Sequence, residues 1–170
     1  MSLFKTVQSL IDKDDSTPIQ LTLGSRKLKP GEHIPKGEAR ATPTLSWPAA
    51  APGQKYLVVS IDLDAPFPSF APLSPVLHWI QGGLELDTTK NALTSSDPVL
   101  VAWAPPGPPG ISGPHRYIFL LYHQPAGFTP SLFAKEKGWG IRDRIKWDQS
   151  KFEREANLGH AVAATYFLSN

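Results

Sequence analysis

A chain of 170 residues is long enough to bury a core of its own, and without a single cysteine it has no disulfide framework, thiol nucleophile or cysteine-ligated zinc site. Seventeen basic residues against fifteen acidic ones leave a net charge of +2, too small and too evenly spread for a nucleic-acid footprint. The densest basic stretch, GIRDRIKWDQSKFERE, carries its own acids, and no run is long and apolar enough to span a membrane.

The chain opens on MSLFKTVQSLIDKDD, with charges where an export signal would have its apolar stretch. No N-x-S/T acceptor follows, and the expectation is a cytoplasmic protein of one domain over residues 1–170. Leu3, Phe4, Val7, Leu10 and Ile11 recur at helical spacing, which predicts a short amphipathic helix over 3–11. IQLTLG and PTLSW read as short strands. KYLVVSID, VLHWIQGG, PVLVAW and HRYIFLLYH read as stronger ones, bounded by Pro and Gly. These runs are apolar at both alternating positions, as strands covered on both faces are.

Helical signals return late. TPSLFAKEKG offers Thr129 as N-cap, Pro130 at the first helical position and Gly138 as the stop. In WDQSKFEREANLG, Asp148 caps, Trp147 and Phe152 form a hydrophobic staple, and Gly159 ends the helix. HAVAATYFL closes the chain as a last strand. Strands first and helices late make a β-rich α+β domain.

Three segments carry groups able to do chemistry. Asp62 and Asp64 stand two apart at a strand end, so both are expected on one face. Carboxylates that close call for a cation, an ammonium or a shared proton, unless Asp64 merely opens the turn at Ala65-Pro66. His78 shares a strand face with Val76 and Ile80, as a satisfied core histidine or as a ligand would. His115 and Tyr117 share a face directly after APPGPPGISGP, a loop stiff at its prolines that lets backbone approach at Gly107, Gly110 and Gly113. Such a loop beside an imidazole is either an anion site, through backbone N–H groups and the ring, or only a long connection. Enzyme templates fail: GISGP has Pro114 where a nucleophile elbow needs glycine, and there is no HExxH, Walker loop or GxGxxG. The histidines show no metal-ligand spacing, so neither metal nor cofactor is expected.

Two blocks, DLDAP…LHWIQGG and GPPGISGPHRYIFLLYHQ, resemble in order and separation the signature regions of the phosphatidylethanolamine-binding protein family, and SPVLHW is most similar to its fungal members. KFEREANLGHAVAATYF resembles the family's C-terminal helix and strand, so the resemblance covers nearly the whole chain. It implies a large central antiparallel β-sheet, a second smaller sheet and a few short peripheral helices. It also implies a ligand pocket of Asp62, Asp64, His78, Gly107, Pro108, His115 and Tyr117, with Pro66 shaping the turn through a cis bond. Leu63 departs from the proline usual between the two aspartates, and FPSFAP replaces a more polar stretch, so an apolar wall is expected near Asp62.

The implied function is binding of a phosphorylated or anionic small molecule or a phospholipid head group. Inhibition of serine proteases of the carboxypeptidase Y type, or modulation of signalling, is implied by some members. An alternative reading is an enzyme whose Asp62, Asp64, His78 and His115 perform acid–base isomerisation, cyclisation or dehydration of a small metabolite, with Leu63 and Phe67 favouring an apolar one. A third is a scaffold for phosphorylated proteins.

Overall fold

The computed structural model describes residues 2–13 and 18–170. Helix α1 (Leu3–Asp12) starts at Ser2, whose hydroxyl accepts from the Lys5 N–H, and turns Val7 fully inward. Strands β1 (Gln20–Leu23), β2 (Arg26–Leu28), β3 (Glu32–Ile34) and β4 (Thr44–Ser46) are short. Strand β5 (Tyr56–Asp62) is buried along its whole length, as its continuous apolar run requires. Strand β6 (Val76–Asp87) is followed by β7 (Ala92–Thr94) and β8 (His115–His123). A 3-10 turn (Pro130–Phe133), helices α2 (Ile141–Arg144) and α3 (Gln149–Glu155), and strand β9 (Ala163–Ser169) complete the chain.

The strands run in the order β2-β1-β4-β7-β6-β5-β8-β9-β3. They form two sheets that share β6, which pairs with β5 through its first part and with β7 through Glu85–Asp87. A strand ending at the Gly82-Gly83 pair was expected, but the chain bends there and continues. Gly83 has φ +65, and a Cβ on it would stand 2.1 Å from Asp97 Oδ2. Only glycine turns the strand from one sheet into the other in that space. The pairing is antiparallel except at one edge, where β3 runs parallel to β9 and makes the sheet mixed.

Alternation along β5 and β8 divides the core. Tyr56, Val58, Tyr117, Phe119 and Leu121 face the second sheet, with Leu21, Leu28, Leu45 and Leu93. Leu57, Val59, Ile61, Ile118, Leu120 and Tyr122 face the helices, with Val7, Phe152 and Ala156.

PVLVAW forms no strand; Val101 makes one bridge, to Ile80. The helix expected after Thr129 is only the 3-10 turn, and Thr129 caps nothing with its side chain. There Phe133 stacks on Phe128 at 5.8 Å and meets Phe152 edge-on, so the local helix signal yields to an aromatic cluster. Helix α3 follows its signals at the start: Asp148 accepts from the Lys151 N–H, and the Trp147 and Phe152 rings lie 5.4 Å apart. It stops before Gly159, because Asn157 takes a left-handed conformation at φ 51, which asparagine tolerates.

The cap and the staple differ in size. Asp148→Ala is expected to cost about 1 kcal/mol and Phe152→Ala about 3–5 kcal/mol. Urea unfolding of the two variants checks this, and comparable losses would contradict the packing described.

Candidate functional site

Where β5 and β8 run out together, seven of the expected residues surround one cavity of about 330 Å³: Asp62, Pro66, His78, Gly107, Pro108, His115 and Tyr117. That volume lies at the lower end of the range of about 300–1,000 Å³ that small-molecule sites occupy. It suits a head group or a small acid.

His78 reaches the cavity through an irregularity of the sheet. Asp62 pairs with Val76 and Ile61 with Leu77, but Ser60 pairs with Trp79, leaving His78 as the extra residue of a β-bulge. The expected shared face of Val76 and Ile80 is therefore broken. Val76 lines the cavity, and Ile80 lies in the core on the helix side. Freed from the ladder, the His78 carbonyl accepts from the Ala104 N–H at 2.9 Å. The ring's Nδ1 donates to the Ala104 carbonyl, so Nε2 is an unprotonated acceptor with no protein partner among the described residues. Burial pushes the His78 pKa down despite the bond to Ala104, and the ring is neutral near pH 7.

His115 is the opposite case. Its Nδ1 lies 2.8 Å from Asp62 Oδ2 and its Nε2 3.1 Å from the Pro66 carbonyl, with Ser112 Oγ at 3.0 Å. A carboxylate and a carbonyl can only accept, so the imidazolium, with hydrogen on both nitrogens, satisfies both contacts, whereas the neutral Nδ1–H form keeps the Asp62 bond and leaves Nε2 to accept from Ser112. Burial works against that charge, but the bond to Asp62 and its negative charge outweigh it and hold the His115 pKa above the ordinary value. Tyr117 stands edge-on to His78 at 5.0 Å, and burial, the Asp62 charge and its neighbours push its phenol far up, so it stays protonated.

Asp64 is not part of this cavity. Strand alternation ends at Asp62, whose Oδ1 accepts from the Asp64 N–H at 2.8 Å, and the chain turns there. Asp64 takes the backbone N–H, Nε–H and NH2 donors of Arg116 at 2.8, 2.8 and 2.6 Å. Arg116 points to the opposite face of β8 from His115 and lies 4.6 Å from the Phe4 ring centroid. The two aspartates thus serve opposite faces, and the same-face expectation fails because it extends β5 past its end. The Asp64 pKa is held down by Arg116, against the effect of burial.

Leu63 and Phe67 do not form the apolar wall either. Leu63 packs into the helix-side core, and Phe67 bridges Phe70 in the loop. The apolar lining comes from Leu73, Val76, Leu77, Ile141 and Ile145. The Pro-rich loop is also poor in donors, since Pro105, Pro106, Pro108 and Pro109 have no N–H. Backbone amides are therefore a minor part of any anion site here. The Ala65-Pro66 and Ser74-Pro75 bonds are cis.

Two further polar residues escape a reading of the sequence. Ser112 lies within the failed elbow motif. Arg144 lies in a stretch whose acids balance its bases, yet it reaches the cavity wall. No local signal distinguishes either one.

A sequence model described as phosphatidylethanolamine-binding protein matches residues 24–167. The chain belongs to that family. It is 32% identical over 134 residues to the carboxypeptidase Y inhibitor of Saccharomyces cerevisiae, covering 67% of this chain and 58% of the relative. It is 32% identical over 120 residues to phomoidride biosynthesis cluster protein N of Talaromyces stipitatus, covering 68% and 59%. The chain thus spans little more than half the length of these curated relatives. Among solved structures, the carboxypeptidase Y inhibitor complexed with its cognate proteinase is similar at TM-score 0.74 and 28% identity, covering 91% of this chain and 83% of that one. The β-rich domain with its mixed sheet and short helices is the family fold. No described helix is long and apolar enough to cross a membrane.

The two cavity histidines give stability opposite slopes with pH. For His78, with a lowered pKa, the unfolded chain binds more protons below pH 6.5, so stability rises with pH there. For His115, with a raised pKa, the folded chain binds more protons above pH 6.5, so stability falls there. Urea midpoints measured across pH should peak near that value. His78→Gln should flatten the acid limb and His115→Gln the basic limb; unchanged profiles would refute the assigned charge states.

Proposed function

We propose that this member of the phosphatidylethanolamine-binding protein family is a binding protein whose cavity takes the oxyanion head group of a small molecule or phospholipid. The observation that carries the reading is His115 at the cavity wall, its Nδ1 2.8 Å from Asp62, which favours the charged ring, and its Nε2 3.1 Å from the Pro66 carbonyl. An incoming oxyanion can take over the Nε2–H of the charged ring from the carbonyl. The exchange replaces a neutral acceptor by a charged one at little cost in rearrangement. His78 Nε2 is free to accept from a hydroxyl or an ammonium on the same ligand. Asp62, Pro66, Gly107, Pro108 and Tyr117 shape the rest of the site.

Protein binding belongs to the same reading. The similar carboxypeptidase Y inhibitor is seen complexed with its cognate proteinase. A serine carboxypeptidase is accordingly the first protein partner to assay, with inhibition measured in the presence and absence of a head-group ligand.

A second reading as an enzyme has two specific supports. A relative is named for a biosynthesis cluster. The cavity also holds two histidines whose surroundings push their pKa values apart, a neutral His78 suited to be a base and a cationic His115 suited to be an acid. Such a pair could move a proton across a bound metabolite in an isomerisation, cyclisation or dehydration.

The decisive measurement is calorimetric titration with O-phosphorylethanolamine. His115→Gln should weaken binding about tenfold or more, since a hydrogen bond to a charged group contributes about 1.5–3 kcal/mol. The ligand-induced rise in melting temperature should shrink accordingly. Wild-type affinity in that variant would sink the binding reading. If the enzyme reading holds, His78→Gln abolishes turnover of a small substrate while leaving its binding intact.

A further inference from the structure

Arg144 is the cavity wall's uncompensated charge. Around it the other ionised groups are paired: His115 with Asp62, and Asp64 with Arg116 on the far face. His78 and Tyr117 are neutral near pH 7. The Arg144 guanidinium forms no ion pair among the described residues. The carboxylate next to it on α2, Asp143, turns away to Lys135 at 3.1 Å and to the Gly140 N–H at 3.0 Å.

Arg144 binds carbonyls instead. Its NH1 donates to Leu77 O at 3.4 Å and His78 O at 3.2 Å, its NH2 to Ala102 O at 3.1 Å, and its Nε to Trp139 O at 3.4 Å. A guanidinium has five N–H donors, so one stays without a partner among the described residues. Two of these carbonyls, Leu77 and His78, lie at the bulge, so the guanidinium is held against it. Half-buried and lacking a counter-charge, Arg144 has its pKa lowered by desolvation, which an anion would reverse. A fixed, planar, partly desolvated cation with a free donor at a cavity wall is how arginine recognises a carboxylate or a phosphate. Ile141 and Ile145 from the same segment line the cavity with it, as do Leu73, whose carbonyl accepts from the Lys146 N–H, and Val76.

We propose that Arg144 is a specificity-determining binding residue, selecting an oxyanion-bearing molecule whose apolar chain lies against Leu73, Val76, Ile141 and Ile145. This rests on the cavity being a ligand site, as proposed above. It goes further by assigning a second cation to the ligand's acidic group and an apolar body to the rest. The ligand class is then a carboxylic acid or phosphate monoester with a short hydrocarbon portion.

The test compares n-hexyl phosphate, hexanoate and neutral n-hexanol by NMR titration of wild-type protein and Arg144→Gln. The expected result is at least a tenfold loss of affinity for one or both anions in Arg144→Gln, with hexanol within twofold of wild type. The more affected anion identifies phosphate or carboxylate as the preferred group. Equal loss for hexanol and the anions would make Arg144 only a brace of the bulge and overturn the proposal, as would wild-type affinity for the anions. Should the variant fail to fold, the Arg144 Nε–H resonance of the wild-type protein decides. It should shift on adding hexyl phosphate or hexanoate and not on adding hexanol. A resonance that stays put while the His115 ring signals move overturns the Arg144 assignment and leaves the cavity reading standing. If neither anion binds the wild-type protein at the cavity, both fall together.

Discussion

The Asp62 carboxylate is the constraint on which the site depends. One oxygen accepts the Asp64 N–H and closes the turn that ends β5; the other accepts Nδ1–H of His115 and favours the charged form of that ring. Turn duty was expected of Asp64, but it is the Asp62 carboxylate that both closes the turn and holds the cavity histidine. Removing it would leave a buried imidazolium unpaired and an amide of the turn unsatisfied. Each of those is a larger loss than the pair's own net contribution.

From that point the chain sorts its charges by face. Past Asp62 the strand alternation lapses, so Asp64 swings to the helix side and takes Arg116, which Phe4 of α1 covers. The N-terminal helix is thereby tied to the same strand ends that build the cavity on the other side. The two sheets meet at β6, where Gly82 and Gly83 let one strand serve both, and the bulge four residues before Gly82 aims His78 into the opening. Irregular backbone in an otherwise regular sheet marks the edge at which the candidate site lies.

Chemically the cavity offers one neutral acceptor, an imidazole already tied to a carboxylate, a protonated phenol and a guanidinium that, among the described residues, is tied only to carbonyls. Its loop contributes few donors because proline supplies most of it. An oxyanion must therefore be met by side chains, and the apolar lining from Leu73 to Ile145 leaves room for hydrocarbon beside it. Whether such a cavity only binds or also transfers a proton depends on whether a bound molecule has a proton to lose at the distance of His78.

Much of this was legible in the sequence. The apolar runs of β5 and β8, the cap and staple of α3, the α1 periodicity and the β-rich order follow from local spacing, because burial on both faces, capping and helical period each leave a repeating trace. The resemblance carried by DLDAP and GPPGISGPHRY led to seven residues that share one cavity. The three-residue strands β2, β3 and β7 left no trace, being too short for alternation to register. Tertiary structure alone decided three things. The end of β5 put Asp64 on the other face, the slip in β5–β6 pairing turned His78, and the fold brought Arg144 to the wall of a cavity built by strands far away in the chain. Each depends on what a residue meets across space, and the partners involved are backbone carbonyls and amides, which every sequence contains and none announces.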